Sequence, residues 1–150
     1  MPQHPLRLDS QLCFRLYTAA RLTMQAYEPF LKEFGITYTQ YLVLMVLWER
    51  DDQPVNDIGK RLMLGINTMS PLIKRMEKLG LVARRNNESD KRQQLVYLTP
   101  KGKDMEQHAM KIPGCMGSLI EECNIDGTEL IGIAPVLDDY IDKMAWREAV

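Results

Sequence analysis

Cys13 is the residue of this chain best placed to do chemistry, and the residues spaced around it indicate which chemistry. A thiolate is the species that attacks a peroxide, whereas a free cysteine with a pKa of about 8.5 is mostly protonated at neutral pH. Tyr17 and Tyr27 stand four and fourteen residues further on, which puts all three side chains on one face of a helix. Phenol hydroxyls can donate to sulfur, and the first turn of a helix favours an anion, so both influences promote the thiolate. The apolar neighbours Phe14, Leu16, Met24 and Phe30 favour a lipophilic peroxide over hydrogen peroxide. The competing reading of an isolated cysteine is a small hydrophobe packed in a core. Cys115 and Cys123 are the other two thiols. A sulfenic acid formed at Cys13 would condense with a second thiol. Either of the two could serve, with Cys123 preferred because it precedes the last predicted helix.

The elements that carry these residues follow from the spacing of apolar positions. Residues 8–34 predict one long helix with two adjacent apolar stripes, which implies burial on two sides. Asp9 or Ser10 is suited to cap it, Pro29 is a place where it can kink, and Gly35 stops it. A second helix opens at Thr37 or Tyr38, and its Tyr41, Leu42, Leu44, Met45, Leu47 and Trp48 are too apolar for a surface. Asp51 to Pro54 reads as a turn, Val55 as a one-residue strand pairing with the wing, and Asn56 as a helix cap.

Residues 56–100 then form a complete recognition device. Ile58 and Leu62, then Met69, Leu72, Ile73, Met76 and Leu79, recur at helical spacing on either side of Gly65. The second of these helices is expected at about 67–78, with Gly80 ending it as a cap glycine does. From Leu81 the apolar period becomes two, and the segment around Leu95 and Tyr97 repeats it across a polar loop, Asn86 to Gln93. Helix, turn, helix, wing is the winged helix-turn-helix order. Another helix is expected over 103–111, a break at Ile112-Pro113-Gly114, helix again over 115–122, a turn at 124–127, and a last helix over 128–146 with an irregularity at Pro135. The fold class is therefore mainly α with a small β wing. It is one domain, 1–150, with a winged helix-turn-helix reader at 37–102 and dimerisation helices at 8–34 and 103–150. Surplus apolar surface on those outer helices implies a partner, most simply a second copy.

Charge is segregated along the chain. From Lys74 to Lys103 nine basic residues face three acidic ones, locally +6, whereas from Asp104 onward ten acidic residues face three basic ones, or −7. The near-neutral total of −1 hides this basic middle. Such a patch attracts the phosphate backbone of double-stranded DNA, although charge alone is equally compatible with a solvated face. In the second reader helix Asn67, Thr68 and Ser70 can reach base edges, and Lys74, Arg75 and Lys78 phosphates. Lys91 and Arg92 lie in the wing, with Asp90 bracing it or simply pairing with Arg92 at the surface.

Composition removes other classes. A chain of 150 residues, 45% hydrophobic, can bury one core. No apolar run approaches a membrane span and the N-terminus does not read as a signal peptide, so no membrane partner is expected. Three cysteines do not suit a secreted disulfide framework, which points to a reducing cytoplasm. His4 and His108 are the only histidines, too sparse for a metal centre. With no P-loop, dinucleotide-binding glycine pattern or Ser-His-Asp set, neither an enzyme nor a bound cofactor is expected.

Several stretches together are more specific. Leu12-Cys13-Phe14-Arg15-Leu16-Tyr17, Ala26-Tyr27-Glu28-Pro29-Phe30-Leu31 and Ile36-Thr37-Tyr38-Thr39-Gln40-Tyr41-Leu42-Val43 resemble the organic-hydroperoxide sensors of the MarR family. So do Ile58-Gly59-Lys60-Arg61-Leu62, Ser70-Pro71-Leu72-Ile73-Lys74-Arg75-Met76-Glu77 and Asp90-Lys91-Arg92-Gln93. The resemblance spans about 8–102. It implies a homodimeric repressor that leaves a pseudo-palindromic operator when an organic hydroperoxide, or hypochlorite, oxidises one cysteine. Cys13 matches that cysteine, and Tyr27 and Tyr38 match tyrosines that hydrogen-bond its thiolate from the opposite subunit. Tyr17 matches a further pocket tyrosine, and Arg92 the arginine that enters the minor groove. Gly65-Ile66-Asn67 departs from the acidic cap and serine usual there, which bears on operator sequence. The alternative within the same fold is a repressor answering to a phenolic or other lipophilic small molecule.

Overall fold

The computed structural model describes residues 5–148, with side chains to Ala145; the first four residues, His4 among them, and the last two lie outside it. Contacts divide the chain into two compact units, with the boundary between Tyr38 and Thr39.

The first unit opens with a single 3-10 turn, Leu8–Ser10, and then α1 (Leu12–Lys32). The predicted helix thus starts four residues late. The Ser10 hydroxyl donates to the Arg7 carbonyl at 2.8 Å and the Gln11 N–H to the Leu8 carbonyl at 3.0 Å, so a tight turn takes the place of the first helical turn. Gln11, not Asp9 or Ser10, is the N-cap, and its side chain makes no capping bond. α1 continues through Pro29 to Lys32. It closes where Gly35 adopts φ +66° and the Ile36 N–H reaches back to the Leu31 carbonyl, a C-terminal turn that requires the left-handed conformation. The expected burial of two faces is not met within one chain. Only Leu31 of α1 is buried, while Leu12 and Tyr17 are 63% and 65% exposed. Two buried faces need two neighbours, and a single chain leaves this surface open.

The second unit is built on α2 (Tyr38–Glu49), whose first residue is the last of the first unit. α2 is apolar all round, and Val43, Leu44, Val46 and Leu47 are buried accordingly. There follow β1 (Gln53–Pro54), α3 (Val55–Leu62), α4 (Ile66–Lys78), β2 (Val82–Asn86) and β3 (Gln94–Leu98). The sheet is antiparallel in the order β1-β3-β2, with Gln53 opposite Val96 and Val82 opposite Leu98. The strand expected at Val55 therefore lies just upstream. Val55 instead begins α3, and Asn56 stands in the first turn behind a Pro54 cap. The proline fits an edge strand and a helix entry alike. Ile58 of α3 and Met69, Leu72, Ile73 and Met76 of α4 join Val96 and Leu98 in the core. Close packing of α3 on α4 needs Gly59, where a Cβ would lie 2.8 Å from the Leu64 carbonyl oxygen.

Beyond the wing, α5 (Pro100–Ala109) starts earlier than predicted, because Thr99 accepts from the Gly102 N–H and Pro100 fits the first helical position. The predicted break at Ile112-Pro113-Gly114 is instead the first turn of α6 (Ile112–Glu122), where the missing proline N–H is not needed. Asp126 caps α7 (Gly127–Gly132) by accepting from the Thr128 and Glu129 N–H groups at 2.8 and 3.3 Å. The last predicted helix is two. α8 (Ala134–Glu148) begins just before Pro135, which explains the irregularity. Among the described residues no helix is long and apolar enough to cross a membrane.

Candidate thiol site and nucleic-acid interface

The reader face is set by how α4 distributes its side chains. Met69, Leu72, Ile73 and Met76 are buried, so the intervening Asn67, Thr68, Ser70, Lys74, Arg75 and Lys78 are all exposed on the opposite side. Helical periodicity thus presents every α4 residue singled out for DNA contact to solvent at once. Gly65 is the N-cap and makes no side-chain bond, and Pro71, five residues past Ile66, leaves the Asn67 carbonyl without its intrahelical donor.

The basic segment sorts into two groups. Arg84 of β2 pairs with Glu77 of α4 at 2.8 Å and donates to the Gln94 side chain at 3.2 Å, tying the recognition helix to the wing. Arg85 pairs with Asp52, which is held at φ +58° in the turn before β1. These two arginines are therefore structural. Lys74, Arg75, Lys78 and Lys91 enter no ion pair among the described residues and remain available to an external anion. In the wing, Asp90 Oδ1 accepts from the Arg92 N–H at 3.1 Å and from its Nε at 3.4 Å, while Asn87 and Gln93 close the loop through backbone and side-chain bonds. Asp90 thus shapes the loop, and the Arg92 side chain stands 93% exposed at its tip. Between α4 and the wing lies a cleft of about 240 Å³ lined by Ser70, Arg84 and Arg92. Asn56 and Gln94 line it as well. Neither was legible in advance, since Asn56 reads as a cap and Gln94 as an ordinary strand position.

The thiol site lies in the first unit. The late start of α1 makes Cys13 its second residue, and it is exposed. Tyr17 projects one turn further along the same face. Tyr27 and Tyr38 come together, with ring centroids 4.9 Å apart and planes tilted by 48°. Burial first, and the neighbouring Tyr27 phenol second, raise the Tyr38 pKa above its ordinary value. The Tyr38 hydroxyl is accordingly a proton donor throughout the neutral range. The structure does not bring this tyrosine pair to Cys13 within one chain. Fourteen residues of helix separate Cys13 from Tyr27, a rise of about 21 Å. Cys115, within α6, is partly exposed and Cys123, the C-cap of α6, is exposed; no cysteine of the chain is in a disulfide. Cys123 lies in the turn that leads into the short α7, not directly before the last helix.

Comparison with known proteins places this geometry. The family model described as transcriptional regulator SarA/Rot matches residues 25–108. The organic hydroperoxide resistance transcriptional regulator of Bacillus subtilis (strain 168) is 38% identical over 125 residues, 83% of this chain and 85% of that protein. Reduced AbfR bound to DNA is 39% identical, with a TM-score of 0.75 over 92% of this chain and 94% of that one. AbfR, a Staphylococcus epidermidis protein, has also been solved with a disulfide formed. That form is 40% identical, with a TM-score of 0.63 over 90% of this chain and 93% of the other. The winged-helix reader, with those relatives, establishes that the chain belongs to the MarR-type winged-helix transcriptional regulators, in the branch that includes the organic hydroperoxide resistance regulators.

Proposed function

We propose that this protein is a cytoplasmic, homodimeric repressor that holds a pseudo-palindromic operator while Cys13 is reduced and releases it when an organic hydroperoxide oxidises that residue. It acts as a sensor and not as a catalyst, since one oxidation event per thiol changes its state. The relatives support it: one is named for organic hydroperoxide resistance, and AbfR has been captured both reduced on DNA and with a disulfide formed.

The observation that carries the proposal is the split site on α1. An exposed thiol lies near the start of α1, and Tyr27 stands about 21 Å further along it, where its ring meets that of Tyr38 at the start of α2. A second copy running antiparallel along α1 would place its Tyr27 and Tyr38 at Cys13, and reciprocally, completing two sites. The exposed apolar residues of α1, Leu12, Phe14, Leu22 and Met24, supply the surface for that pairing. In the oxidation step the Cys13 thiolate attacks the outer oxygen of ROOH and the O–O bond breaks. The alkoxide leaves and takes up a proton, giving ROH and a sulfenic acid. Attack by the Cys123 or Cys115 thiol, or a small thiol, then forms a disulfide and releases water. Loss of the thiolate removes the acceptor for the tyrosine hydroxyls, and the new bond shifts the two readers out of register with successive major grooves.

Mixed dimers test the split site. Cys13→Ser chains would be combined with Tyr27→Phe/Tyr38→Phe chains, and the oxidation rate of the remaining Cys13 followed by stopped flow. With tyrosines acting across the dimer, that cysteine recovers the wild-type rate, because its partner carries both hydroxyls. The same Cys13 in the pure tyrosine variant is slower by about tenfold or more, the scale of one or two missing charge-assisted hydrogen bonds. A Cys13 that stays slow in the mixed dimer would show that the tyrosines act within their own chain, and a wild-type rate in the pure tyrosine variant would show that they do not act at all.

A further inference from the structure

The wing is narrowly supported for an element that carries Arg92 at its tip. β1 pairs with β3 through two residues, and β2 is an outer strand of the order β1-β3-β2. Arg85 stands opposite Leu95, and Leu95 opposite Pro54, so the three form one row across the sheet. The Arg85 guanidinium nevertheless reaches Asp52, the residue just before β1. The pair therefore crosses the middle strand, a span of two strand spacings or roughly 10 Å. Successive strand residues point to opposite faces. Arg84 is accordingly tied to Glu77 of α4 at 2.8 Å and Arg85 to the turn between α2 and β1, so two adjacent arginines fix the hairpin from both faces. The turn is itself held by Asp51, whose Oδ1 accepts from the Asp52 N–H and from the Leu98 N–H of β3, both at 2.8 Å. Asp52 adopts φ +58°, a left-handed conformation that glycine takes most readily, and there its carboxylate meets Arg85.

We propose that the Asp52–Arg85 pair straps the outer strand of the wing to the α2–β1 turn and so sets where Arg92 meets DNA, which makes Asp52 a positioning residue for sequence reading. This role rests on the reading of the protein as an operator-binding repressor, with the exposed Arg92 entering the minor groove. The strand ladder ends at Asn86 and Gln94, one residue beyond Arg85, and the loop carrying Arg92 starts there. The strap therefore acts at the base of that loop. Because the minor groove is only about 6 Å wide, a small tilt of the hairpin is enough to misplace a guanidinium in it. Arg85 and Asp52 are 48% and 41% exposed, so their pairing adds little to global stability. Its loss is felt in recognition and not in unfolding. By holding Arg85, Asp52 also keeps one cation off the phosphate backbone, which limits affinity for arbitrary sequence.

Asp52→Asn and Arg85→Gln break the strap from its two sides with opposite changes of charge, which separates placement from bulk electrostatics. Asparagine also tolerates the left-handed turn. Reduced wild type and variants would be compared by fluorescence anisotropy on a duplex that the wild type selects from a random pool, and on an unselected duplex. Both variants are expected to bind the selected duplex about fivefold or more weakly, with thermal midpoints close to wild type. On the unselected duplex they should diverge, Asp52→Asn binding slightly tighter and Arg85→Gln slightly weaker. In an Arg92→Ala background neither change should cost the selected duplex more than the unselected one. Asp52→Asn that holds the selected duplex as tightly as wild type would overturn the proposal. So would losses that persist undiminished beside Arg92→Ala, or a fall in thermal midpoint that tracks the loss of affinity, which would assign the pair to folding. Arg92→Ala without effect of its own would remove the wing contact and the strap's role with it, whereas a wild type that selects no duplex would refute the repressor reading itself.

Discussion

Gly102→Ala is expected to lower stability by about 3 kcal/mol, among the larger effects of any single methyl in this chain. Gly102 lies in the first turn of α5, where its N–H donates to Thr99 Oγ1 at 3.1 Å and its carbonyl accepts from Trp48 Nε1 at 3.0 Å. A Cβ built there would stand 2.2 Å from the Leu81 carbonyl oxygen and 3.2 Å from Leu98 Cδ2. That carbonyl is backbone, cannot rotate away, and already accepts from the Thr99 N–H at 3.1 Å. Relief requires α5 to move off β2 and β3, which breaks the junction of wing, α2 and α5 together. Urea unfolding at fixed chain concentration should show a midpoint lower by ~1.5 M with little change in slope. Gly114→Ala is the control. It occupies an α6 position with nothing within 4 Å of the added carbon, and should be neutral or stabilising by up to about 1 kcal/mol. Equal midpoints for Gly102→Ala and wild type would contradict the packing described at this junction.

The second large effect is on DNA. Lys74→Gln/Arg75→Gln should weaken operator and non-operator DNA alike, by one to two orders of magnitude at low salt. It should also reduce the slope of log K against log salt by about 2, one for each phosphate no longer neutralised. Both residues are exposed and enter no ion pair among the described residues, so thermal stability should be unchanged. Asn67→Ala and Ser70→Ala should behave in the opposite way. Each should cost about 1–3 kcal/mol on the operator and little on random sequence, with the salt slope retained. Filter binding or fluorescence anisotropy across a salt series separates the two classes. An unchanged slope in the double variant would remove α4 from the phosphate backbone.

Most of the reader was legible in the sequence because its signals are local. The spacing of Ile58, Met69, Leu72, Ile73 and Met76 fixes which side of each helix is buried, and that alone exposes Asn67, Ser70, Lys74 and Lys78. Boundaries were less legible where a proline can either end or begin a helix. Pro54, Pro113 and Pro135 all proved to lie at helix entries, since the first helical turn needs no donor from them. The roles of Arg84 and Arg85 were hidden for a different reason. Their partners Glu77 and Asp52 lie on other elements, and a charge count along the chain cannot see a cross-element pair. The thiol site was half legible. Helical phase aligned Cys13, Tyr17 and Tyr27 on one face, but phase does not register the rise of about 21 Å that keeps thiol and tyrosine pair apart in one chain.

The most direct measurement of the central claim is operator-fragment binding by wild type and Cys13→Ser, each with and without one equivalent of an organic hydroperoxide per chain. Both reduced proteins are expected to bind, oxidised wild type to lose affinity by two orders of magnitude or more, and Cys13→Ser to be unaffected by the oxidant. Release of both proteins, or of neither, would contradict a Cys13 trigger and bring forward a repressor controlled by a lipophilic ligand instead.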